Sequence, residues 1–389
     1  MKAFTTDILS ESGNRPLIVY GTGVLGELTY YGLKSLGISP DYYCDHAPEE
    51  TDFYGIKIIH PENLKHYKDG IFLIAFKDYC KRALENLERA GCFEVYHILP
   101  LLDSDFSEYP LSHRAMEMLL RRKAYAKMIE HLCTDEPLQI QHVELMVTER
   151  CTLRCKDCSA LVPFFRNPDD VDLKEFGPSF DRFIESVNFI SELSVLGGEP
   201  FLNQKLPEFI QKYFDSDKIG MVAFYTNGTI IPNKNYLKML IHSKVWVHIS
   251  DYGDFSKNIW KLTELFDEMG VQYFVRRYED WQNAGDFRER QKSEAELSDQ
   301  FNKCFKAKCY SFYKGRLYCC SRASSGIAAH VISENPENFI DFTQDETTIS
   351  KNKLKRSLFK WVNRPYYPVC RYCNGLIDGQ CSVKPAVQI

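Results

Sequence analysis

The stretch Cys151-Thr-Leu-Arg-Cys155-Lys-Asp-Cys158 sets three cysteines at C-x3-C-x2-C spacing, directly after the apolar run Val143–Val147. Thiolates are the usual ligands of iron–sulfur clusters, so three of them can hold three irons of a four-iron cluster. The fourth iron then keeps an open position, which suits chemistry better than electron transfer. Chance would give such a triplet about 0.02 times in a chain of this cysteine content.

Two other interpretations of the triplet are a zinc site and three buried thiols. A structural zinc site needs a fourth ligand close by. No histidine or fourth cysteine follows Cys158 within ten residues. The spacing therefore favours a cluster with one open iron.

C-x3-C-x2-C after a strand is similar to the signature of the radical S-adenosylmethionine (SAM) enzymes. One departure is Asp157, since the residue before the third cysteine is usually aromatic in that family. The resemblance implies that Cys151, Cys155 and Cys158 hold a 4Fe-4S cluster whose open iron binds SAM. It also implies reductive cleavage of SAM to a 5′-deoxyadenosyl radical, which takes a hydrogen atom from a substrate.

Composition describes an ordinary globular protein of two or three domains, with 389 residues, 44% hydrophobic and 26% charged. The net charge of −5 provides no basic field for nucleic acid or anionic lipid. The chain has no apolar run of 18 residues and no apolar signal core at its start. We expect a cytoplasmic protein without nucleic-acid or membrane partners, in which the 14 cysteines are metal ligands or buried thiols.

The alternation of short predicted strands with helices over residues 1–103 predicts a Rossmann-like domain. Its strand Pro16–Tyr20 runs into the G-x-G-x-x-G turn Gly21-Thr-Gly23-Val-Leu-Gly26 and the helix Glu27–Leu36. Such a turn suits phosphate, and Asp45, which follows the next strand, is suited to a ribose. A ligand-free scaffold, a nucleotide or nucleotide-sugar site and an NAD site all stay open. The domain resembles small nucleotide-binding domains that accompany enzymes of sugar and polysaccharide modification. Residues 104–140 predict a helical linker.

Residues 141–290 predict a partial (β/α)6 barrel of the TIM type, because β/α alternation restarts there. The predicted strands are Val143–Val147, Glu192–Leu196, Gly220–Tyr225, Val245–Ser250 and Gln272–Arg276, and the helices between them are Leu173–Val187, Gln204–Phe214, Lys234–Ile241 and Lys257–Met269. Active residues of such barrels lie at the carboxyl ends of the strands. The cysteine triplet follows one such end.

Other predicted strand ends match the radical SAM family residue by residue. In that family the segment Gly197-Gly198-Glu199-Pro200 binds the amino group of SAM. Glycines let a ligand approach the backbone, and a carboxylate pairs with an ammonium. The resemblance also assigns Thr226, Asn227 and Ser250 to SAM binding.

Alternation along Val245–Ser250 predicts one further site residue. Val245, Val247 and Ile249 should face the helices, so that Trp246, His248 and Ser250 face the barrel interior. His248 is therefore a candidate catalytic acid, base or hydrogen-bond partner of the substrate. The alternative is a hydrogen-bonded interior histidine without a catalytic role.

Residues 291–389 hold seven of the cysteines. A hairpin over Cys309–Tyr313 and Arg316–Cys320 sets Cys309 opposite Cys320. With Cys370 and Cys373 this gives four ligands for zinc or an iron–sulfur cluster. The region resembles the auxiliary-cluster domain called SPASM, or its short form twitch, which favours one second 4Fe-4S cluster. Either Cys304 or Cys309 is then the first ligand, and Cys319 and Cys381 are spare.

The expected function is hydrogen-atom abstraction from a sugar, polyol or nucleotide-linked sugar, with net oxidation or epimerisation. The N-terminal domain supports this substrate class, and the resemblance to one-cluster twitch enzymes, which include aminocyclitol-modifying members, supports it as well. The resemblance also implies a one-electron donor such as flavodoxin or ferredoxin. The alternatives are a maturase of a ribosomally made peptide and a non-catalytic iron–sulfur or zinc-binding module.

Overall fold

A computed structural model describes residues 1–46, 51–76, 80–122, 125–127, 129, 138–344, 348–377 and 382–389. The chain divides into two compact units, Met1–Asp135 and Glu136–Ile389. Among the described residues, no helix is both long and apolar enough to cross a membrane.

The first unit contains a seven-stranded sheet whose central strands pair in parallel. Its strands are β1 (Lys2–Ala3), β2 (Leu17–Tyr20), β3 (Tyr42–Cys44), β4 (Asp52–Phe53), β5 (Ile56–Ile59), β6 (Ile71–Ile74) and β7 (Val95–His97). The strand order is β1-β7-β6-β2-β3-β5-β4, and only the β4–β5 pair is antiparallel. The described helices are Thr6–Ser12, Val24–Ser35, Cys80–Ala90 and His113–Leu120.

The sheet of the first unit forms where the apolar runs predict it. β2 and β6 lie at its centre, and all eight of their residues are buried. Continuous apolar runs are typical of parallel strands that are covered on both faces. The predicted helical linker over residues 104–140 is seen only as His113–Leu120 and a few residues beyond, since most of residues 123–137 lie outside the described part.

The second unit is built on an open eight-stranded sheet. Its strands are β8 (Gln139–Met146), β9 (Phe189–Leu196), β10 (Ile219–Thr226), β11 (Val245–Asp251), β12 (Tyr273–Arg277), β14 (Cys309–Tyr313), β15 (Arg316–Tyr318) and β16 (Phe339–Asp341). The order is β12-β11-β10-β9-β8-β14-β15-β16. Six neighbouring strands, from β12 to β14, run parallel, and β15 and β16 are antiparallel additions. The mixed α/β class with parallel strands predicted from the sequence is confirmed.

Helices cover the sheet of the second unit and close its core. The described ones are Leu173–Ser186, Leu206–Ile210, Lys234–Leu240, Ile259–Met269, Glu294–Lys303, Ser321–Ala328 and Lys351–Val362. Phe180 and Phe183, from the first of these, pack on Phe312 of β14 with ring centroids 5.1 Å apart in both cases. All three rings are fully buried.

The predicted hairpin is confirmed, but it joins the sheet of the barrel. β14 pairs in parallel with β8, so that Cys309 lies beside His142. β14 and β15 pair with Ser311 opposite Tyr318, the register that sets Cys309 against Cys320. The region predicted as a separate cysteine-rich domain therefore shares one sheet with the barrel strands. The sequence could not show this because the neighbour of β14 is about 165 residues away along the chain.

Two small strands lie outside the main sheets. β13 (Trp281–Gln282) pairs with β17 (Ser382–Val383) in antiparallel fashion. The polar stretch 286–302, which reads as helical, forms a helix only over Glu294–Lys303. Ser293 and Glu296 form a capping box there, and this fixes the start of the helix.

Candidate active site

The loop that carries the three cysteines leaves β8 through an anchored turn. Thr148 Oγ1 donates to Asp170 (2.6 Å), and Arg150 Nη1 forms an ion pair with the same carboxylate (3.0 Å). The buried Glu149 accepts from Lys314 Nζ (2.9 Å). These contacts fix the backbone immediately before Cys151, although no sequence motif predicted them.

Several N–H groups point at the sulfurs of the triplet. Leu153 N donates to Cys151 Sγ (3.5 Å), and Gln388 Nε2 donates to Cys155 Sγ (3.3 Å). Burial is the main cause that raises the pKa of the Cys151 thiol to about 12, with smaller contributions from Glu199, Cys158 and Cys155. Three thiols close enough to interact, with N–H donors aimed at sulfur, suit a metal cluster that keeps them deprotonated. The donor set therefore fits a 4Fe-4S cluster.

The two glycines after β9 allow that strand end to pack against the cysteine loop. Gly198 N donates to Thr148 O (2.9 Å), and Glu199 N donates to Arg150 O (2.8 Å). A Cβ at Gly197 would overlap Thr148 O, and one at Gly198 would overlap Arg150 O. The close approach that requires glycine here is therefore made by the backbone of the cysteine loop.

Glu199 is fully buried and links the end of β9 to the end of β10. Its carboxylate accepts from Thr226 Oγ1 (2.9 and 3.0 Å) and from Asn227 N (2.9 Å). Burial raises the pKa of Glu199 to about 7, although these donors favour the charged form. Pro200 follows as the first residue of a short 3₁₀ turn, and its carbonyl accepts from Tyr236 Oη (2.8 Å).

Asn227 connects the end of β10 to the cysteine loop. Its Nδ2 donates to Thr152 Oγ1 (3.2 Å) and approaches Cys151 Sγ (3.5 Å). Ser256 Oγ donates to the carbonyls of both Asn227 (2.7 Å) and Ser250 (3.0 Å), which ties the end of β11 to the same region. Three strand ends that the sequence predicted as a SAM site thus meet around the triplet.

His248 lies on β11, where alternation predicts it. It is 2% exposed, stacks on Tyr225 at 4.7 Å between ring centroids, and contacts Tyr278 Oη through Nε2 (3.3 Å). The alternate residues Val245, Val247 and Ile249 belong to the hydrophobic core of the unit. His248 therefore lies among aromatic side chains that also carry hydroxyl groups.

A buried polar network occupies the neighbouring strands, and sequence reasoning largely missed it. Glu192 accepts from Ser194 Oγ (2.7 Å) and Tyr225 Oη (3.0 Å), while His142 Nε2 lies 2.7 Å from Ser194 Oγ. Glu144 of β8 forms an ion pair with Lys306. Burial opposes ionisation of Glu144, but the Lys306 ammonium and His142 hold its pKa below the usual value. The sequence signal that could have predicted this network is a glutamate inside each of two otherwise apolar strands, Glu144 in β8 and Glu192 in β9.

Cys309 belongs with this network. Its thiol lies within 4.8 Å of ligand atoms of His142 and Glu144. Lys306 provides a cation at Glu144, and His142 Nε2 lies 3.9 Å from Glu192 Oε1. The polar group around Cys309 therefore already contains one ion pair, between Lys306 and Glu144.

Four other C-terminal cysteines lie close together. Burial is the main cause that raises the pKa of Cys370 to about 12, with smaller contributions from the thiols of Cys320, Cys373 and Cys304. Leu376 N donates to Cys304 Sγ (3.5 Å), and Gly375 N donates to Cys373 Sγ (3.3 Å). Four thiols with N–H donors fit a second 4Fe-4S cluster.

The surroundings of this second group are cationic. Arg322 Nε donates to Tyr372 O (3.3 Å), and Lys292 Nζ donates to Cys373 O (3.0 Å). The hydrogen bond from the Cys319 thiol lowers the pKa of Cys320 to about 7. Cys319, which the sequence predicted not to be a ligand, therefore donates a hydrogen bond to the neighbouring thiol of Cys320. Cys381, which was predicted in the same way, lies outside the described residues. The geometry favours Cys304 over Cys309 as the remaining member of the group.

In the first unit, the glycine-rich turn is largely engaged with its own chain. A Cβ at Gly21 would lie 2.6 Å from Ala75 O, and one at Gly26 would overlap Gly21 O, whereas one at Gly23 would meet nothing within 4 Å. Asp45, the expected ribose ligand, accepts from Thr22 N (2.9 Å) and Thr22 Oγ1 (2.8 Å). Only Gly23 therefore leaves room for a ligand to approach the turn.

Sequence comparison finds relatives that match part of the chain. The chain is 32% identical over 94 residues to a GTP 3′,8-cyclase of Aliarcobacter butzleri, and 33% identical over 98 residues to one of Xanthomonas campestris pv. campestris. Each match covers 24% of this chain and less than a third of the relative. The chain is therefore similar to these cyclases over about a quarter of its own length.

Comparison with solved structures finds more distant similarity. BtrN in complex with AdoMet and 2-DOIA matches with a TM-score of 0.39 at 12% identity, over 61% of this chain and 94% of that one. Native anSMEcpe with bound AdoMet gives 0.39 at 14% identity, over 58% and 84%. SuiB of Streptococcus suis gives 0.29 at 18% identity, over 58% and 47%. No protein-family model matches the chain.

Proposed function

We propose that this protein is a radical SAM enzyme that abstracts a hydrogen atom from a sugar, polyol or nucleotide-linked sugar, for a net oxidation or epimerisation. One observation carries the proposal. Three thiols on the loop after β8 are held against the ends of β9 and β10 by Gly197, Gly198 and Asn227. This joins an open-iron ligand set to the strand ends that would bind SAM.

Cys151, Cys155 and Cys158 would hold the first cluster, which supplies one-electron reductive cleavage of SAM to the 5′-deoxyadenosyl radical. Leu153 N and Asn227 Nδ2 stabilise negative charge on Cys151. Glu199, Thr226 and Asn227 are buried beside the triplet and limit the access of water from that side, which helps to protect a reactive radical from side reactions. An external one-electron donor such as flavodoxin or ferredoxin completes the reaction.

Glu199, Thr226 and Ser250 would then position SAM. Glu199 accepts hydrogen bonds from Thr226 and Asn227, so it also aligns the ends of β9 and β10. We assign it this alignment role in addition to a contact with the ammonium of SAM. Gly197, Gly198 and Pro200 set the backbone path that makes the alignment possible.

Cys304, Cys320, Cys370 and Cys373 would hold a second cluster that accepts an electron. His248 is the proposed acceptor of the substrate proton, because it lies buried against Tyr225 and Tyr278. A hydroxylated substrate suits this part of the unit, because hydroxyl groups can both donate to carboxylates and accept from an ammonium. Glu144, Glu192 and Lys306 supply those partners.

A nucleotide-linked sugar is the proposed form of the substrate because of the first unit. Gly23 is the residue of the G-x-G-x-x-G turn at which the structure leaves open space. The start of helix Val24–Ser35 adds partial positive charge at this turn. Binding of uridine-diphosphate sugars to the full chain, lost in Gly23→Asp and kept in Gly13→Asp, would support this substrate class.

Anaerobic incubation with SAM and a reductant tests the activity. Wild-type protein should release 5′-deoxyadenosine and methionine, and a uniformly deuterated sugar substrate should transfer deuterium into 5′-deoxyadenosine. The triple variant Cys151→Ala, Cys155→Ala, Cys158→Ala should release none, while Cys92→Ala, in the other unit, should match wild type. Persistent cleavage by the triple variant would refute the proposal, and deuterium transfer from a peptide alone would reassign the substrate to the maturase class.

A further inference from the structure

Residues 386–389 lie alongside the cysteine loop and are bonded to it by the backbone. Lys156 N donates to Val387 O (2.7 Å), and Ile389 N donates to Arg154 O (3.0 Å). Cys155 and Gln388 form an isolated antiparallel bridge. A segment more than 230 residues away along the chain therefore pairs with the middle cysteine of the triplet.

Both ends of the Gln388 side-chain amide have partners. Its Oε1 accepts from Arg154 N (2.8 Å), and its Nε2 donates to Cys155 Sγ (3.3 Å) and Ala386 O (2.6 Å). The backbone N–H of Arg154 and the carbonyl of Ala386 fix which end is oxygen and which is nitrogen. The N–H that points at the sulfur of Cys155 is therefore determined by the network around it.

The segment is held in place beyond the loop as well. β17 pairs with β13, with Trp281 opposite Val383. Ala386 is 1% exposed and has a φ of 53°, a left-handed conformation that costs an alanine about 1 kcal/mol. The packing of buried Ala386 and the backbone hydrogen bonds of residues 386–389 must offset that cost. The fold therefore holds Gln388 next to Cys155.

We propose that Gln388 is a positioning residue that raises the reduction potential of the cluster held by Cys155. One-electron reduction by an external donor adds negative charge to the cluster and its sulfur ligands. A hydrogen bond from Nε2 to Cys155 Sγ stabilises that more negative state more than the oxidised state. The proposal rests on the proposed function, since it requires a cluster on Cys151, Cys155 and Cys158.

A redox titration of anaerobically reconstituted protein tests this role. The signal is the electron paramagnetic resonance (EPR) spectrum of the reduced cluster that changes when SAM is added. Gln388→Met keeps the length of the side chain and removes the donor. Its ratio of reduced to oxidised cluster at a fixed potential should fall roughly five- to tenfold, which is within the net worth of one ordinary hydrogen bond.

Gln388→Glu sharpens the comparison, because it keeps an oxygen for Arg154 N and places negative charge at Cys155. We expect a larger fall in the same ratio than with Gln388→Met. The exposed Gln211, changed to Met, is the matched control and should leave the ratio unchanged.

Unchanged ratios in both Gln388 variants at full iron content would overturn the tuning role. Loss of iron from both would also overturn it, since Gln388 would then retain the cluster and not tune it. Absence of any SAM-sensitive signal in wild type would instead contradict the proposed function itself, so the two failures are distinguishable.

Discussion

The three-cysteine group and the four-cysteine group of the second unit differ in how many sulfur ligands they offer and in what surrounds the sulfurs. Cys151, Cys155 and Cys158 receive N–H groups from uncharged partners, including Asn227 and Gln388. The C-terminal group lies beside the cations Arg322 and Lys292. The two groups therefore present different chemical environments within the second unit.

This difference indicates a division of labour. Four thiolates fill every iron position of a cubane cluster, which suits electron transfer, whereas three leave one iron for a small molecule. Cations beside the four-thiolate group stabilise its extra negative charge. The three-thiolate group instead lies at the ends of β8, β9 and β10, where ligands of parallel α/β folds bind.

The largest expected effect comes from the middle cysteine of the triplet. Cys155→Ala should lower the rate of SAM cleavage roughly a thousandfold or more, because the cluster loses one of its three protein ligands. Cys92→Ala is the matched control, since Cys92 is buried and belongs to the other unit. Chromatography of 5′-deoxyadenosine measures the rate. Equal rates for Cys155→Ala and wild type would remove the triplet from the mechanism.

The second group is tested by a pair of variants. Cys304→Ala should lose about four irons per chain after reconstitution, whereas Cys309→Ala should keep all of about eight. The reason is that Cys304 lies with Cys320, Cys370 and Cys373, while Cys309 lies with His142 and Glu144. Iron analysis of the two proteins measures the difference. The reverse result would make Cys309 the ligand and break the assignment of the group.

A smaller effect is expected at the glycines that support the triplet. Gly198→Ala places a methyl group against the backbone of Arg150, which cannot move away without disturbing Cys151. We expect a loss of about 3 kcal/mol in the free energy of unfolding. Gly23→Ala meets open space and should change stability by less than about 0.5 kcal/mol. Denaturant unfolding of the two variants compares them, and equal losses would contradict this account of the packing.

The smallest effect concerns pH. Burial raises the pKa of Glu199 from 4.5 to about 7, so between these values the folded chain keeps a proton that the unfolded chain releases. Stability therefore falls as pH rises through this window. In Glu199→Gln this contribution is absent, so stability relative to wild type should improve by about 1–2 kcal/mol between about pH 5 and pH 7.5. Parallel pH profiles of the two proteins would show that Glu199 ionises normally.

Much of the barrel could be predicted from the sequence, because local patterns specify it. The strand ends around Gly197, Asn227 and His248 lie within a residue or two of their predicted places. What local patterns could not specify is pairing between distant segments. The place of β14 beside β8, and the contact of Gln388 with Cys155, depend on packing that only the folded chain decides.

In the first unit a local motif was predicted correctly, but the sequence could not show what the motif contacts. Its glycine-rich turn has the expected strand and helix on either side, yet Asp45 bonds to Thr22 and two of the three glycines pack against their own backbone. A glycine motif indicates that some group approaches the backbone closely, but it does not show whether that group is a ligand or another part of the same chain. The cysteine thiols and the Glu199 carboxylate of the second unit are themselves ligand-binding groups, so they predict a chemistry that glycines cannot predict.

The most direct test of the central claim is the EPR spectrum of the reduced, reconstituted protein with and without SAM. If Cys151, Cys155 and Cys158 leave one iron open, SAM should change the spectrum of one cluster and leave that of the four-cysteine group as it was. The triple alanine variant of these cysteines should show no change. A wild-type protein with full iron content whose spectrum does not respond to SAM would contradict the account.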